Sequence, residues 1–520
     1  MSLETFLHHL HFDIAKTQPR DWKVDWEDTP LPYKRYHGLP AIPLSLEVPL
    51  TLKGCEVPVK PKIREIGHFF WYGFGLSQFC QPVHPSGAVE HAMYRRFVPS
   101  GGALYPNELY VYLNMDEVSR GIYHYDAAHH RLVLLRKGDY DSYLARALGY
   151  RCDVSAYFGV VFVSTMFQKN GFKYHHFAYR LQGLDTGVLI GQLLEVAKRF
   201  GFESAVYFRF LDRAVNHLLG LSEWKESVYA VVPLALDPRV TRFDEENNDK
   251  SISAEELCRE LTVLQHEHDI RSKRRIEYPM IIRMNEASLL ESIKPFRQVK
   301  GEKNSSCEGE IILLPRVDRL SYDLAAVCRK RFSPGIHFVL DQVSQSQLAA
   351  LLREATASFS YRNDLDGAQE NLVSRVSLVG CLHGVEGIPD GAYHYDRAAH
   401  AFRQIRPGDH RRRLQQGMSS HTVNLSQVPL CFHVTGDRDH LKGALGYRGY
   451  RIQQMEAGML THRLLLAASA LGMGGHPLLD FDAGSCDELY RLAPQGKTSL
   501  IQIPIGPYRL PPRLQGSLHG

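Results

Sequence analysis

The segment RRFVPSGGALYPNELYVYL, residues 95–113, gathers the residue types best suited to holding a ligand. A Pro-Ser-Gly-Gly turn and a second proline, Pro106, flank Leu104-Tyr105 ahead of an alternating apolar strand. Two adjacent glycines, Gly101 and Gly102, let backbone amides approach a flat ligand closely, and Pro106 fixes the exit from the turn. On residue types alone, a ligand-facing loop and a tight surface turn before a strand fit equally. The pairs His129-His130 and His175-His176 invite a metal reading, but no third ligand stands at a recognisable spacing. The nine cysteines are scattered singly, with no CxxC pair, so no metal site is expected. Isolated thiols in odd number read as reduced cysteines of a cytoplasmic protein.

The elements that position these residues follow from an internal repeat. GIYHYDAAHHRLVLLRKGD, from Gly121, matches GAYHYDRAAHAFRQIRPGD, from Gly391, without a gap. YRLQGLDTGVLIGQLLEVAKRFGF, from Tyr179, matches YRIQQMEAGMLTHRLLLAASALGM, from Tyr450, and FLDRAVNHLLGLSEWKESVYAVVPLA then pairs with FDAGSCDELYRLAPQGKTSLIQIPIG. Each half reads as a hairpin with an HYD turn, a buried helix, a Leu-rich second helix and a closing strand, an α+β unit present twice. The expected organisation is an extended N-terminal arm over residues 1–60, a first domain over 61–236, a connector over 237–312 and a second domain over 313–520. The arm, ending in PLPYKRYHGLPAIPL, is expected on a domain surface. Within the connector, the polar run DEENNDKS precedes a helix expected from Ser253 to His268, with Ser253 and Glu256 forming a capping box.

PSGGALYP followed by an E-L-Y strand resembles the signature of SagB-type dehydrogenases, a branch of the FMN-dependent nitroreductase superfamily. DWEDTPLPYKRYHGLPAIPL resembles the leading arm of that family, HFFWYGFGLS its first helix, and FKYHHFAYRLQGLDTG its K-Y-x4-Y-R-x5-E-A-G block. The resemblance implies two tandem nitroreductase-like domains forming an intramolecular pseudo-dimer that binds FMN. It implies Lys173 and Tyr174 as the catalytic pair: aromatising an azoline removes a hydride and a proton, so a base must stand beside the hydride-accepting ring. A free lysine has a pKa of about 10.4, so Lys173 needs burial or a neighbouring cation to serve as that base.

The second half departs at these positions. Ala444 and Leu445 stand where Lys173 and Tyr174 do, and SRVSLVGCLHGVEG replaces the PSGGALYP stretch. Instead, LAAVCRKRFSPGIHF resembles the R-R-S-x-R segment that grips the FMN phosphate; Lys34-Arg35 is a poorer match in the first half. The resemblance therefore implies one composite site, with Arg329, Arg331 and Ser333 from the second half and Pro99, Ser100, Gly101, Gly102, Ala103 and Leu104 from the first. Arg509 is implied as the C-terminal basic residue, and Gly474 and Gly475 as lining the flavin edge. Where family members carry His and Gln-Asn, this chain has Val188 and Gly191-Gln192, or Met459 and His462-Arg463, and His175 and His176 are expected at the substrate entrance.

The implied activity is oxidation of azoline rings to azoles in a ribosomally made peptide, with dioxygen reoxidising the flavin and a cyclodehydratase and precursor peptide as partners. An NAD(P)H-dependent nitro or quinone reductase and a non-catalytic FMN-storage protein are the alternatives. A formal charge of +4, from 61 basic and 57 acidic residues, carries no broad footprint for nucleic acid or an anionic membrane. The start of the chain does not read as a signal peptide, and no apolar run is long enough to span a bilayer.

Overall fold

The computed structural model describes all residues except 55–59, 83–92, 241–242, 244–251, 275, 295, 297–298, 300–308, 358–360, 367–373 and 519–520. The DEENNDKS run, residues 244–251, lies outside the described residues, as do Cys55 and Cys307. The first half runs through α1 (Leu3–Phe12), β1 (Ala41–Pro43), α2 (Ile63–Phe74), β2 (Leu76–Pro82), β3 (Met93–Arg96), β4 (Asn107–Leu113), β5 (Gly121–Asp126), β6 (Arg131–Lys137), α3 (Asp141–Ala147), β7 (Gly159–Met166), α4 (Phe167–Tyr174), α5 (Ala178–Arg199), β8 (Glu203–Ser204), α6 (Asp212–Leu219) and β9 (Glu226–Ala235). Helices α7 (Ala254–Arg259) and α8 (Pro279–Ser288) lead to the second half. There follow β10 (Ile311–Leu313), α9 (Leu324–Lys330), α10 (Gln345–Ala357), β11 (Val376–Leu382), β12 (Gly391–Asp396), β13 (Ala401–Pro407), α11 (Arg411–Gln416), β14 (Leu430–Asp437), α12 (Lys442–Leu445), α13 (Arg448–Ala470), β15 (Gly474–Gly475), α14 (Ala483–Leu489), β16 (Lys497–Gly506) and β17 (Arg513–Ser517).

Two seven-stranded sheets result, ordered β1-β6-β5-β4-β7-β9-β8 and β10-β13-β12-β11-β14-β16-β15, the same position by position. The correspondence extends to detail. In both hairpins the register slips after the second residue, between Ile122 and Tyr123 and between Ala392 and Tyr393. Tyr125 OH meets His130 Nδ1 at 3.0 Å, and Tyr395 OH meets His400 Nδ1 at 2.8 Å. Strand β4 is buried throughout, because the two-residue alternation sends Leu109, Val111 and Leu113 into one core and Tyr110 and Tyr112 into another.

Between the sheets lie α5 and α13, buried at every residue from Ala178 to Ala197 and from Arg448 to Ala468. They meet at glycines: a Cβ on Gly187 would stand 1.9 Å from the Met455 carbonyl oxygen, and one on Gly458 2.2 Å from that of Leu184. Tyr179 stacks on Tyr450, its own counterpart in the repeat, with ring centres 5.7 Å apart.

The arm is more than a surface strap. Ser2 caps α1, accepting from Thr5 N at 3.1 Å, and α1 buries Phe6, Leu7 and Leu10. Further along, Lys34 is buried and pairs with Glu226 at 2.8 Å, while β1 closes the edge of the first sheet. In the connector, the Ser253–Glu256 capping box forms, but the helix stops at Arg259 instead of reaching His268. Tertiary donors take the carbonyls beyond it: His217 Nε2 lies 2.9 Å from Leu261 O, Arg136 Nη2 donates to Thr262 O at 2.7 Å, and His268 bridges to Tyr36.

Candidate functional site

The turn at 99–105 is held in an unusual backbone shape, with positive φ at Gly102 (64°), Ala103 (56°) and Tyr105 (47°). Two non-glycine residues in the left-handed region mark local strain of the kind that surrounding structure must enforce. Asp185 on α5 enforces it here: its carboxylate accepts from Ser100 Oγ at 2.7 Å and from Gly101 N at 3.0 Å, while Ser100 Oγ accepts from Tyr105 N at 2.9 Å. Above this turn opens a cavity of about 490 Å³. Pro99, Ser100, Gly101, Gly102 and Ala103 line one side, Arg331 and Ser333 another, so residues from both halves form it.

Lys173 and Tyr174 reach the same turn from the end of α4. A Cβ on Gly102 would stand 2.6 Å from the Tyr174 hydroxyl and 3.0 Å from Lys173 Nζ. Only the missing side chain of Gly102 leaves room for the pair. Burial lowers the Lys173 pKa from that of a free lysine, which favours a neutral amine. Burial, reinforced by the charge of Asp185, pushes the Tyr174 phenol up to about 12, so it stays protonated and able to donate. The arm contributes too: Trp22 Nε1 donates to Lys173 O at 3.3 Å, and Lys173 Nζ lies 5.6 Å from the ring centre of the exposed Trp26. His175 is turned to the arm, its Nδ1 3.3 Å from Thr17 O, and His176 packs edge-on to Phe6.

At the other end of the cavity three guanidinium groups gather, those of Arg95, Arg331 and Arg513. Arg95 and Arg513 lie 5.9 and 4.7 Å from the ring centre of Phe332, which stacks on Tyr508. None of the three meets a carboxylate among the described residues. Arg331 is buried with its Nε unpaired, and Nη1 of Arg513 is likewise buried and unpaired. Burial, then the neighbouring charge of Arg95, pulls the Arg331 pKa down to about 10. Converging, unneutralised guanidiniums suit a phosphate, and the glycine cradle suits a planar ring, so the residues present fit FMN.

Other residues implied by the resemblance lie elsewhere. Arg329 donates to Leu50 O at 2.6 Å, away from the cavity, because it sits on the last turn of α9, whereas Arg331 caps the helix in a non-helical conformation and turns inward. Arg509 is exposed, and Arg513, on the strand that returns to pair with β2, stands in the wall instead. Gly474 and Gly475 support the wall from behind: a Cβ on Gly474 would press on Pro334 at 2.3 Å, and one on Gly475 on Leu465 at 2.5 Å. Leu104 ends the turn without lining the cavity. Sequence reasoning missed Arg95, Arg513, Asp185 and the two arm tryptophans.

A separate group, His383, Asp390 and Asp409, brings three potential metal-ligand atoms within 4.8 Å of one another. Sheet register explains it without an ion. Asn114, Arg120, Asp139 and Asp141 of the first half correspond to His383, Asp390, Asp409 and Arg411. Arg120 pairs with Asp139 and Asp141, and in the second half Arg411 pairs with Asp409, so the acid and the base have exchanged places.

Two sheets of this order around paired central helices make the nitroreductase fold. A crystal structure of a candidate nitroreductase from Anabaena variabilis matches it with a TM-score of 0.73 at 22% identity, covering 98% of this chain and 99% of the other. Residues 86–234 match the Nitroreductase family, and the chain carries a domain of that family. Trifolitoxin-processing protein TfxB of Rhizobium leguminosarum bv. trifolii is 32% identical over 143 residues, covering 26% of this chain and 37% of TfxB. The chain thus spans well under half the length of this curated relative. The E. coli microcin synthetase McbBCD complex is 25% identical over 34% of this chain and 64% of the other, with a TM-score of 0.28. Among the described residues, no helix is long and apolar enough to cross a membrane.

Proposed function

We propose that the chain is an FMN-dependent dehydrogenase of the SagB type, oxidising azoline rings to azoles in a ribosomally made peptide. The observation that carries this reading is the convergence of Lys173, Tyr174 and the Ser100–Ala103 turn on one point, at the wall of a cavity lined by three unneutralised guanidiniums. The likeness to a toxin-processing protein supports a peptide substrate. When bound, FMN would supply the hydride acceptor. Arg331, Arg95 and Arg513, with Ser333, would hold its phosphate, and the Gly101-Gly102 backbone would face its ring. Lys173, its pKa lowered by burial, takes the proton from the substrate carbon, and Tyr174, kept as a phenol, orients or relays that proton.

The same reading makes the chain an intramolecular pseudo-dimer with one flavin site. Support comes from the self-paired Tyr179 and Tyr450 and from the same sheet order in both halves. In the second half Glu456, the counterpart of Asp185, is instead bonded by Arg375 at 2.6 Å, and Arg375 also bonds Asp366 at 2.6 Å. The test is direct. Purified protein should carry one FMN per chain, and Lys173→Ala should keep bound FMN while losing azoline turnover by roughly 100-fold or more. Full activity in that variant, or two FMN per chain, would overturn the corresponding part of the reading.

A further inference from the structure

Asp185 differs from most of the buried acids. Glu108, Glu226, Asp212, Asp364 and Glu456 each bond a lysine or arginine, whereas among the described residues Asp185, like Asp487 on α14, bonds none, and of these two only Asp185 faces the cavity. Its position in the repeat makes the contrast sharper, because the second half gives the equivalent Glu456 an arginine and a tyrosine hydroxyl, from Arg375 and Tyr361. Among the described residues, the donors on Asp185 are Ser100 Oγ and Gly101 N, both from the strained turn that forms the cavity floor.

We propose that Asp185 is the positioning residue of this cavity, a clamp on the 99–105 turn whose grip depends on its own charge. Ionised, the carboxylate accepts from Ser100 and Gly101 and holds the turn in its left-handed shape. A proton on Oδ2 would reverse the bond to Ser100, the carboxyl donating to the second lone pair of Oγ, and would leave Gly101 N a neutral acceptor in place of a carboxylate; both ties lose their charge assistance and the grip on the turn weakens. Burial raises the carboxyl to about 6, against the opposing pull of the bonds from Ser100 and Gly101, so the grip changes within an ordinary working range.

Other titratable groups line the same cavity, His337 among them, and substituting Asp185 separates their contribution from that of the acid. Tyr174 faces it from α4 with its phenol held neutral, and Lys173 lies beside Gly102. α13 presents the uncharged Thr461 to the cavity, and Arg331, Arg95 and Arg513 belong to its far wall. His476 shares the cavity but is pushed down to about 4 by burial, so it is already neutral when Asp185 ionises.

The clamp is a property of the chain itself, while its ligand rests on the proposed flavin site, and the experiment separates the two. Hydrogen exchange at the Gly101 and Tyr105 amides of the FMN-free full-length protein is followed from pH 5 to 8, corrected for intrinsic rates, alongside FMN affinity by fluorescence quenching. In the wild type, protection and FMN affinity should both rise about tenfold with a midpoint near pH 6. Asp185→Asn should flatten the protection profile, leaving in the FMN profile only the ionisation of the ligand's own phosphate, whose second pKa is about 6, and Asp185→Ala should lower protection at every pH. An unchanged protection midpoint in Asp185→Asn, or wild-type protection in Asp185→Ala, refutes the clamp. Protection that behaves as stated in a protein that fails to bind FMN upholds the clamp and refutes the flavin reading.

Discussion

Replacing Arg331 by methionine should make the FMN-free protein more stable and FMN binding weaker, two effects of opposite sign from one residue. Arg331 is only 6% exposed, meets no carboxylate among the described residues and leaves Nε without a partner. Burial, then the charge of Arg95, lowers its pKa from 12.5 to about 10, so keeping it charged there costs on the order of 3 kcal/mol. Methionine has a similar reach, fills the space and removes the desolvated charge, so up to about that much stability should be recovered. The same guanidinium would offer a phosphate charge-assisted hydrogen bonds worth about 1.5–3 kcal/mol each, so losing them should weaken FMN on the order of 100-fold. Thermal melts with and without FMN, and quenching titrations of the flavin into the FMN-free chain, measure the two effects separately. Arg329→Met provides the control, because Arg329 bonds Leu50 O outside the cavity and its loss should change FMN affinity less than about twofold. A destabilised FMN-free Arg331→Met protein, or one that binds FMN as tightly as the wild type, would refute the argument that this arginine waits unneutralised for an anion.

Two further substitutions test the turn and the arm. Gly102→Ala places a methyl group within 2.6 Å of the Tyr174 hydroxyl at a φ of +64°; it should cost about 1–2 kcal/mol of stability and displace the Lys173–Tyr174 pair, lowering turnover about 100-fold, measured as single-turnover substrate oxidation at saturating FMN. Wild-type turnover would show that the pair does not work at this turn. Lys34→Met leaves the buried Glu226 carboxylate without its cation and should cost about 3–5 kcal/mol in urea unfolding at pH 7.5. The paired lysine holds the Glu226 pKa below that of a free glutamate, so the wild type keeps this contribution above about pH 4.5 and loses it as pH falls through the lowered value; in the variant, burial without the lysine favours the protonated acid. The difference between the two proteins should therefore shrink toward pH 5, and Lys34→Met with Glu226→Gln should recover much of the loss. A pH-independent difference would rule out the uncompensated carboxylate as its cause.

Sequence legibility tracked the range of the interactions. The duplication, the HYD hairpins and the glycine turn are local patterns, and each forms where the residues indicate. The phosphate end was legible only in part: Arg329 and Arg331 are two residues apart and equally basic, and which one enters the cavity depends on where α9 stops. Arg95 and Arg513 meet because Arg513 pairs opposite Pro82 across more than 400 residues of chain, a contact that spacing cannot reveal. The N-terminal helix did carry a local signal, the Ser2 cap followed by Phe6, Leu7 and Leu10 on one face, outweighed by the prolines and tryptophans that follow. Asp185 sits in a recognisable block, but its lack of a cation becomes apparent only beside Glu456 and Arg375.

The meeting of α5 and α13 at Gly187 and Gly458 joins two halves of one polypeptide. In an assembly of two identical chains, any substitution appears on both sides of the axis, so a residue that closes one cavity closes its twin as well. Here each side can change alone. Dilution cannot part the halves, and Glu456 can bond an arginine while its counterpart Asp185 bonds the Ser100–Gly101 turn.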